Sequence, residues 1–379
     1  MGFKLTPIDV VENISREDFY QNYLKPRRPV VIKGLTRNWP ARDKWSLDYM
    51  KETVGDIVVP LYDSAKADPS APINAASTEM RFSDYIDLIK REPTDLRIFL
   101  FDPIKHAPAL LNDYVFPKEL MGGFLDRYPT LFFGGAGSET FLHYDIDMAH
   151  IFHTHFGKKH IILFDYKWKE RLFRIPFATY ALEDYHVDNP DTERFPELEG
   201  IEGIECFLEY GDTLFMPTGW WHWMKYLDGS FSISLRAWDE SWAVKAHSLW
   251  NLTVQRKFDD FMKARFKARY MNWKEQLACK RARRAWERGM PRSNKPKGRL
   301  KTVFQTTFLL TSFPLSILRH HLTFTTHTVC RINPLLRGFH LIFQTFNPFL
   351  IAGVVAFVAI TDLFALFQIF LCLSQFVLR

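Results

Sequence analysis

The chain has 379 residues, 47% of them hydrophobic and 24% charged, which excludes a disordered polymer and a disulfide-held mini-protein. The net charge of +6 hides a strong asymmetry: residues 1–242 hold 27 basic against 38 acidic side chains, residues 243–298 hold 16 against 4, and residues 299–379 hold 6 against 1. An acidic body, a basic segment and a tail almost free of acids are three physically different objects.

Cys206, Cys279, Cys330 and Cys372 form no C-x-x-C pair, which excludes a zinc ribbon or a disulfide framework. Met1-Gly2-Phe3-Lys4 leads into Asp9 and Glu12 with no apolar run. That pattern predicts no secretory signal and a cytoplasmic catalytic body. Ser15, followed by Glu17 and Asp18, predicts a short capped helix. Pro29-Val30-Val31-Ile32, stopped by Gly34, predicts a strand. Ser46 to Val54, closed by Gly55, predicts a second capped helix. Residues 64–78, rich in Ala, Pro, Ser and Asp, predict a loop. Ser83 to Arg91 predicts a helix with Tyr85, Ile86 and Ile89 as its apolar stripe, and Ile98 to Phe101 predicts a strand.

From about residue 130 to 238 the pattern changes to short strands. Leu131–Phe133, Ile161–Phe164, Cys206–Leu208, Thr213–Phe215 and Phe231–Leu235 are the clearest. Strands at this spacing predict a small barrel or sandwich. Residues 243–290 are helical in period, with Leu249, Trp250, Val254, Phe258, Phe261, Met262 and Phe266 as the apolar stripe. The organisation expected is a catalytic domain over 1–242, a basic helical appendage over 243–298 and a hydrophobic tail over 299–379. Within the tail, 349–378 is long enough to span a membrane, although Asp362 sits near its middle. The tail holds 13 Phe in 81 residues and a single acid, which equally suits a shifted reading frame.

The chemistry concentrates in two places. Thr140-Phe141-Leu142-His143-Tyr144-Asp145 puts His143 and Asp145 two apart, hence on one side of a strand. Far downstream, Gly211-Asp212-Thr213-Leu214-Phe215-Met216-Pro217 precedes Trp220-Trp221-His222. Two histidines and a carboxylate brought together by folding make the facial triad of non-haem Fe(II) oxygenases, with open positions left on the metal. Lys158 and Lys159, after Gly157 and before an apolar strand, are candidate cations for an acidic co-substrate.

These elements, in this order, resemble the JmjC-related, cupin-like 2-oxoglutarate oxygenases over roughly residues 7–290. The branch that looks most similar contains the asparaginyl hydroxylase of hypoxia-inducible factor. The segment Pro29-Val30-Val31-Ile32-Lys33-Gly34-Leu35, with Trp39-Pro40 and Trp45-Ser46, belongs to the resemblance. It implies a mainly β fold with flanking helices, built on a double-stranded β-helix. It implies Fe(II) as cofactor and 2-oxoglutarate as co-substrate, in the hydroxylation of a protein side chain or other C–H substrate. By the same resemblance His143, Asp145 and His222 hold iron, and Lys159 and Thr140 hold the distal carboxylate of 2-oxoglutarate.

The sequence departs from that pattern at three positions. Phe99 stands where the family often has a hydrogen-bonding Tyr. His150, after a one-residue insertion, stands where the hydroxylase branch has an Asn. Arg236 stands where that branch has another Asn; it either pairs with a co-substrate carboxylate or makes a structural ion pair.

Other readings stay open. His153-x-His155 could be the metal pair of an ordinary cupin with no oxygenase activity, although the Glu that usually follows is missing. Trp220, Trp221 and Trp223 read first as packing. The expected partners are a protein or peptide substrate and a second copy through the C-terminal helices. Nucleic acid or anionic lipid at Arg281–Arg299, and a membrane through 349–378, are further ones. RNA as substrate, or an adaptor role on RNA without turnover, is the remaining alternative.

Overall fold

The computed structural model describes residues 2–64 and 76–289. Most of the expected loop 64–78, the basic residues beyond 289 and the whole 299–379 tail, with the 349–378 segment, lie outside the described residues. Among the described residues no helix is long and apolar enough to cross a membrane.

The first half of the chain alternates strands and short helices. Its strands are β1 (Lys4–Pro7), β2 (Val10–Glu12), β3 (Val30–Lys33), β4 (Val58–Leu61), β5 (Thr78–Arg81) and β6 (Arg97–Phe101). Its α-helices are α1 (Arg16–Phe19), α2 (Ala41–Lys44), α3 (Leu47–Val54), α4 (Phe82–Arg91) and α5 (Pro103–His106). The caps are those the sequence predicts. Ser15 Oγ accepts from the Asp18 amide and Ser46 Oγ from the Tyr49 amide, each at 3.1 Å. Gly55 ends α3 at φ 73°, a conformation that favours glycine.

The second half is nearly all strand: β7 (Thr130–Gly134), β8 (Glu139–His143), β9 (His150–Phe156), β10 (Lys159–Phe164), β11 (Glu202–Leu208), β12 (Thr213–Met216), β13 (Trp221–Tyr226) and β14 (Ser230–Ala237). Two sheets result. The larger has the order β2-β3-β12-β9-β14-β7-β6 and the smaller β1-β11-β10-β13-β8, while β4 and β5 pair separately. Apart from β10 and β11, which pair within the smaller sheet, successive strands of the second half alternate between the two sheets, so residues far apart in sequence become neighbours.

Register assigns the faces. On β14, Ser232 and Ser234 stand opposite His155 and His153 of β9. The alternate residues Phe231, Ile233 and Leu235 join Phe133, Phe152 and Phe156 in the largest apolar core. In the smaller sheet Ile162 and Phe164 face Trp223 and Trp221 across β10 and β13, and all four lie in a second core. Trp221 and Trp223 are therefore packing residues. The remaining faces carry Lys159, Tyr226 and His222 on one sheet and His153, His155, Ser232 and Arg236 on the other. Lys159 Nζ reaches Ser232 Oγ at 2.7 Å, so these two polar faces meet.

Gly134 is where that meeting is tightest. A Cβ on Gly134 would lie 2.4 Å from Tyr226 Cδ2 and 2.6 Å from Ser138 Oγ, both closer than packed atoms approach. Gly134→Ala is expected to cost about 1–3 kcal/mol, the usual penalty for overpacking a filled core. It should show as a lowered thermal midpoint.

The C-terminal helices are α6 (Trp242–Trp250) and α7 (Arg256–Gly289). Of the apolar stripe, Leu249 is 62% and Trp250 47% exposed, whereas Phe258 packs on Phe177 with ring centroids 5.0 Å apart. The buried face of α7 carries charged residues beside Tyr270, Met271, Ala278 and Ala282. Asp259 accepts from Lys274 Nζ at 2.5 Å and Tyr270 Oη at 3.0 Å, and pairs with Lys263 at 3.0 Å. A buried carboxylate needs such partners. Three donors around Asp259 supply them. Helix α7 also breaks at Lys267, where φ is 46°.

Candidate active site

His143 is the last residue of β8, and His222, on the neighbouring β13, stands directly opposite it. Their ring centroids are 4.2 Å apart. Asp145 lies just beyond the end of β8, not on it as expected. Its side chain still returns to His143, with Nε2 to Oδ1 at 3.9 Å. One donor atom from each of His143, Asp145 and His222 falls within 4.8 Å of the others.

The backbone sets the tautomers. His143 Nδ1 lies 2.8 Å from the Phe141 carbonyl and His222 Nδ1 3.2 Å from the Trp220 carbonyl. A carbonyl only accepts, so each Nδ1 carries the proton and each Nε2 lone pair is free for a metal. Burial pulls the imidazole pKa values down to about 3 for His143 and about 4 for His222. Both rings are therefore neutral near pH 7, the protonation state a metal ligand needs. Two imidazoles and one carboxylate suit a first-row divalent ion, and nothing in this geometry conflicts with Fe(II).

The low histidine pKa values have a consequence for stability. The unfolded chain binds protons near pH 6.5, the ordinary imidazole value, while the folded chain does not. Metal-free protein should lose stability as pH falls from about 6.5 towards 4. Melting curves against pH check this, and the slope should flatten in His222→Phe.

Arg236, on β14 of the larger sheet, reaches across to this cluster. Its Nε pairs with Asp147 at 3.1 Å, its Nη2 lies 3.7 Å from Asp145 Oδ2, and its Nη1 donates to Thr130 Oγ1 at 3.2 Å. Asp147, absent from the sequence reading, thus shares the arginine that holds Asp145. Burial raises the Asp147 pKa. His150 is directed elsewhere. It packs on Phe215, accepts from the Thr218 amide at 3.2 Å and lies 3.3 Å from Asp239.

Lys159 opens β10 on the same face as His222, with Tyr226 opposite it in register. Four residues along β13 separate Tyr226 from His222, about 13 Å at the usual strand rise. Lys159 is 1% exposed. Its Nζ donates to Ser232 Oγ at 2.7 Å, meets His153 Nε2 at 3.1 Å and lies 3.9 Å from the centroid of the Tyr226 ring. Among the described residues it forms no ion pair. Burial pulls its pKa well below the ordinary lysine range, and Asp228 opposes that only in part. Lys158 remains outside this group: its backbone amide donates to Asp228 and its carbonyl accepts from the Leu227 amide, each at 2.9 Å.

A bulge places Thr140. In the β8–β13 ladder His143 faces His222 but Thr140 faces Met224, so three steps on one strand match two on the other. His222 and Met224 share a face, and the bulge turns Thr140 to the side of His143.

His153 and His155 stand on the larger sheet with ring planes 9° apart and centroids 6.5 Å apart. Their Nδ1 atoms meet Ser234 at 2.9 Å and Ser232 at 2.8 Å. Burial and the neighbouring Lys159 hold both imidazoles well below their ordinary pKa. A lysine 3.1 Å from His153 opposes a cation there, so the electrostatics favour the His143 cluster as the metal position. Phe99 packs on Tyr62 and Phe132, each with ring centroids 5.9 Å away, and donates nothing.

The sequence profile of the cupin-like domain matches residues 16–241. The chain belongs to the cupin-like domain family. The match contains the whole His143–Asp145–His222 cluster together with Lys159. The cupin-like domain is 31% identical over 231 residues to lysine-specific demethylase JMJ30 of Arabidopsis thaliana, covering 58% of this chain and 52% of that one. It is 30% identical over 228 residues to lysine-specific demethylase 8 of Xenopus tropicalis, covering 58% and 50%. It is 26% identical over 237 residues to human tRNA wybutosine-synthesizing protein 5, covering 57% and 73%. The chain thus spans about half the length of the two demethylases. These relatives place the cupin-like domain among JmjC-type proteins without pointing to the asparaginyl hydroxylase branch.

Proposed function

We propose that this cupin-like domain is an Fe(II)- and 2-oxoglutarate-dependent oxygenase, its two sheets forming the walls of a double-stranded β-helix. The observation that carries the reading is Lys159: a buried cation, unpaired among the described residues, on the same strand face as a His/Asp/His cluster. A dicarboxylate whose near end reaches the metal and whose far end reaches Lys159 explains both features. Fe(II), when bound, supplies the oxidation of a C–H bond by O₂ coupled to decarboxylation of 2-oxoglutarate.

The chain's own residues have distinct tasks. His143, Asp145 and His222 hold the metal and leave part of its coordination open. Arg236 holds Asp145 from behind and shares its charge with Asp147. Lys159 neutralises the far carboxylate, and Thr140 adds a hydroxyl on the same wall. Met224 and Ile161, between Tyr226 and His222 on the two strands, keep water from the middle of the co-substrate.

The substrate proposed first is a protein side chain, hydroxylated at carbon. The demethylase names of two relatives support this, because hydroxylation of an N-methyl carbon gives a carbinolamine that releases formaldehyde. RNA is the second reading, supported by the tRNA-directed relative and by Arg281, Arg284 and Arg288 on α7, which share a surface cleft with Glu170 and Glu287. The exposed Leu249 and Trp250 support pairing with a second copy. The test of the central reading is O₂-dependent succinate formation with Fe(II). No binding of 2-oxoglutarate by iron-loaded protein would leave a metal-binding cupin without oxygenase activity.

A further inference from the structure

Lys159, on the smaller sheet, is not the only buried cation near the site. Arg97 begins β6, two residues before Phe99 and on the same side of the strand, and is 9% exposed. Its Nη1 donates to the carbonyls of Asp63 at 2.9 Å and Glu139 at 2.6 Å. Its Nε is buried with no hydrogen-bond partner. Among the described residues Arg97 forms no ion pair, although Asp63 and Glu183 attract it through space.

Three observations place this guanidinium beside the co-substrate wall. Glu139, whose carbonyl it holds, immediately precedes Thr140. Gly134 stands opposite Arg97 in the β6–β7 register, and the missing Cβ of Gly134 is what lets the Tyr226 ring approach. Arg97 also acts electrostatically on both Tyr226 and His143. Arg97, Thr140, Tyr226 and Lys159 therefore gather at one end of the site.

We propose that Arg97 is a second anchor for the distal carboxylate of the co-substrate, acting with Lys159 where Phe99 has no hydroxyl to offer. This rests on the co-substrate reading above. A buried guanidinium without a bonded carboxylate is costly, and so is a buried ammonium. One carboxylate between them satisfies both, and a guanidinium keeps donors to spare after clasping two carbonyls. The competing explanation is that Arg97 only ties β6 to β8.

The test uses the full chain loaded with Mn(II) and calorimetric binding of two ligands. One is 2-oxoglutarate; the other is 2-oxobutyrate, which keeps the 2-oxo acid but lacks the distal carboxylate. Arg97→Met should weaken 2-oxoglutarate about 10- to 100-fold, the range for losing a hydrogen bond to a charged group. It should leave 2-oxobutyrate within about 2-fold, and Arg97→Lys should recover part of the loss. Equal weakening of both ligands, or no weakening of either, overturns the anchor and leaves the strand tie. If Arg97→Met does not fold, Arg97→Lys alone decides: selective weakening towards 2-oxoglutarate supports the anchor, and unchanged selectivity overturns it. Wild-type protein that binds Mn(II) but not 2-oxoglutarate overturns the co-substrate reading and this inference with it. Normal wild-type binding with an indifferent Arg97→Met overturns this inference alone.

Discussion

Replacing His222 or His143 with alanine is expected to weaken metal uptake severely and, with it, the proposed oxygenase turnover. Loss of a residue that only orients a metal ligand typically costs 10- to 100-fold in affinity. Loss of a ligand from a three-residue set should exceed about 100-fold. The rings sit 4.2 Å apart on paired strands, and among the described residues no further histidine belongs to the cluster. His153 and His155 face Lys159 across the interior and are repelled as ligands by its charge. The measurement is Fe(II) or Co(II) titration under argon, with melting of the metal-free protein beside it. Because both rings are neutral in the folded state, the metal-free variants should still fold near neutral pH. Metal bound as tightly in His143→Ala as in the wild type would show that the ion sits elsewhere.

Lys159→Met should separate function from stability. In the metal-free protein the ammonium is buried against Ser232, His153 and the Tyr226 ring with no ion-pair partner among the described residues. Exchanging it for an uncharged chain of similar length removes a desolvation cost, so the thermal midpoint should hold or rise. Binding of 2-oxoglutarate should fall by about 2–5 kcal/mol, the cost of truncating one partner of a buried charge pair. That corresponds to about 30- to 5,000-fold. The pH dependence has a definite sign. The folded lysine has a pKa below its unfolded value, so the unfolded chain binds the proton more readily and wild-type stability rises with pH between the two values. A bound dicarboxylate favours the charged lysine, so binding takes up a proton and weakens as pH rises. An unchanged affinity in Lys159→Met would remove this residue from the co-substrate site.

Much of the molecule follows from local sequence chemistry. Ser15, Ser46 and Gly55 end their helices where short-range hydrogen bonding requires. The β-branched and aromatic runs became strands, because such side chains fit a pleated, half-buried surface. His143-Tyr144-Asp145 already put two members of the cluster close in sequence, although Asp145 lies beyond the strand, and their companion His222 follows the Gly211–Pro217 run. β8, β9 and β13 were less legible. They carry histidine, lysine and polar residues on the site face, so their apolar alternation is interrupted where the chemistry lies.

The tertiary structure decided what depends on pairing between distant segments. That Asp147 shares Arg236 with Asp145 could not be seen in the sequence, since Arg236 is about ninety residues away. The bulge that turns Thr140 towards His143 exists only in the β8–β13 ladder. His150 takes the outward side because register with Ala237 puts it there. The inward face of α7 takes in Asp259 together with its three donors, a pairing that a buried carboxylate requires. The sequence by itself determined the residue types of the His/Asp/His cluster and the family to which they belong. The fold alone decided that Lys159 and Arg97, on different sheets, both come close to Tyr226, because two strands distant in the chain place them there and burial strips both of water.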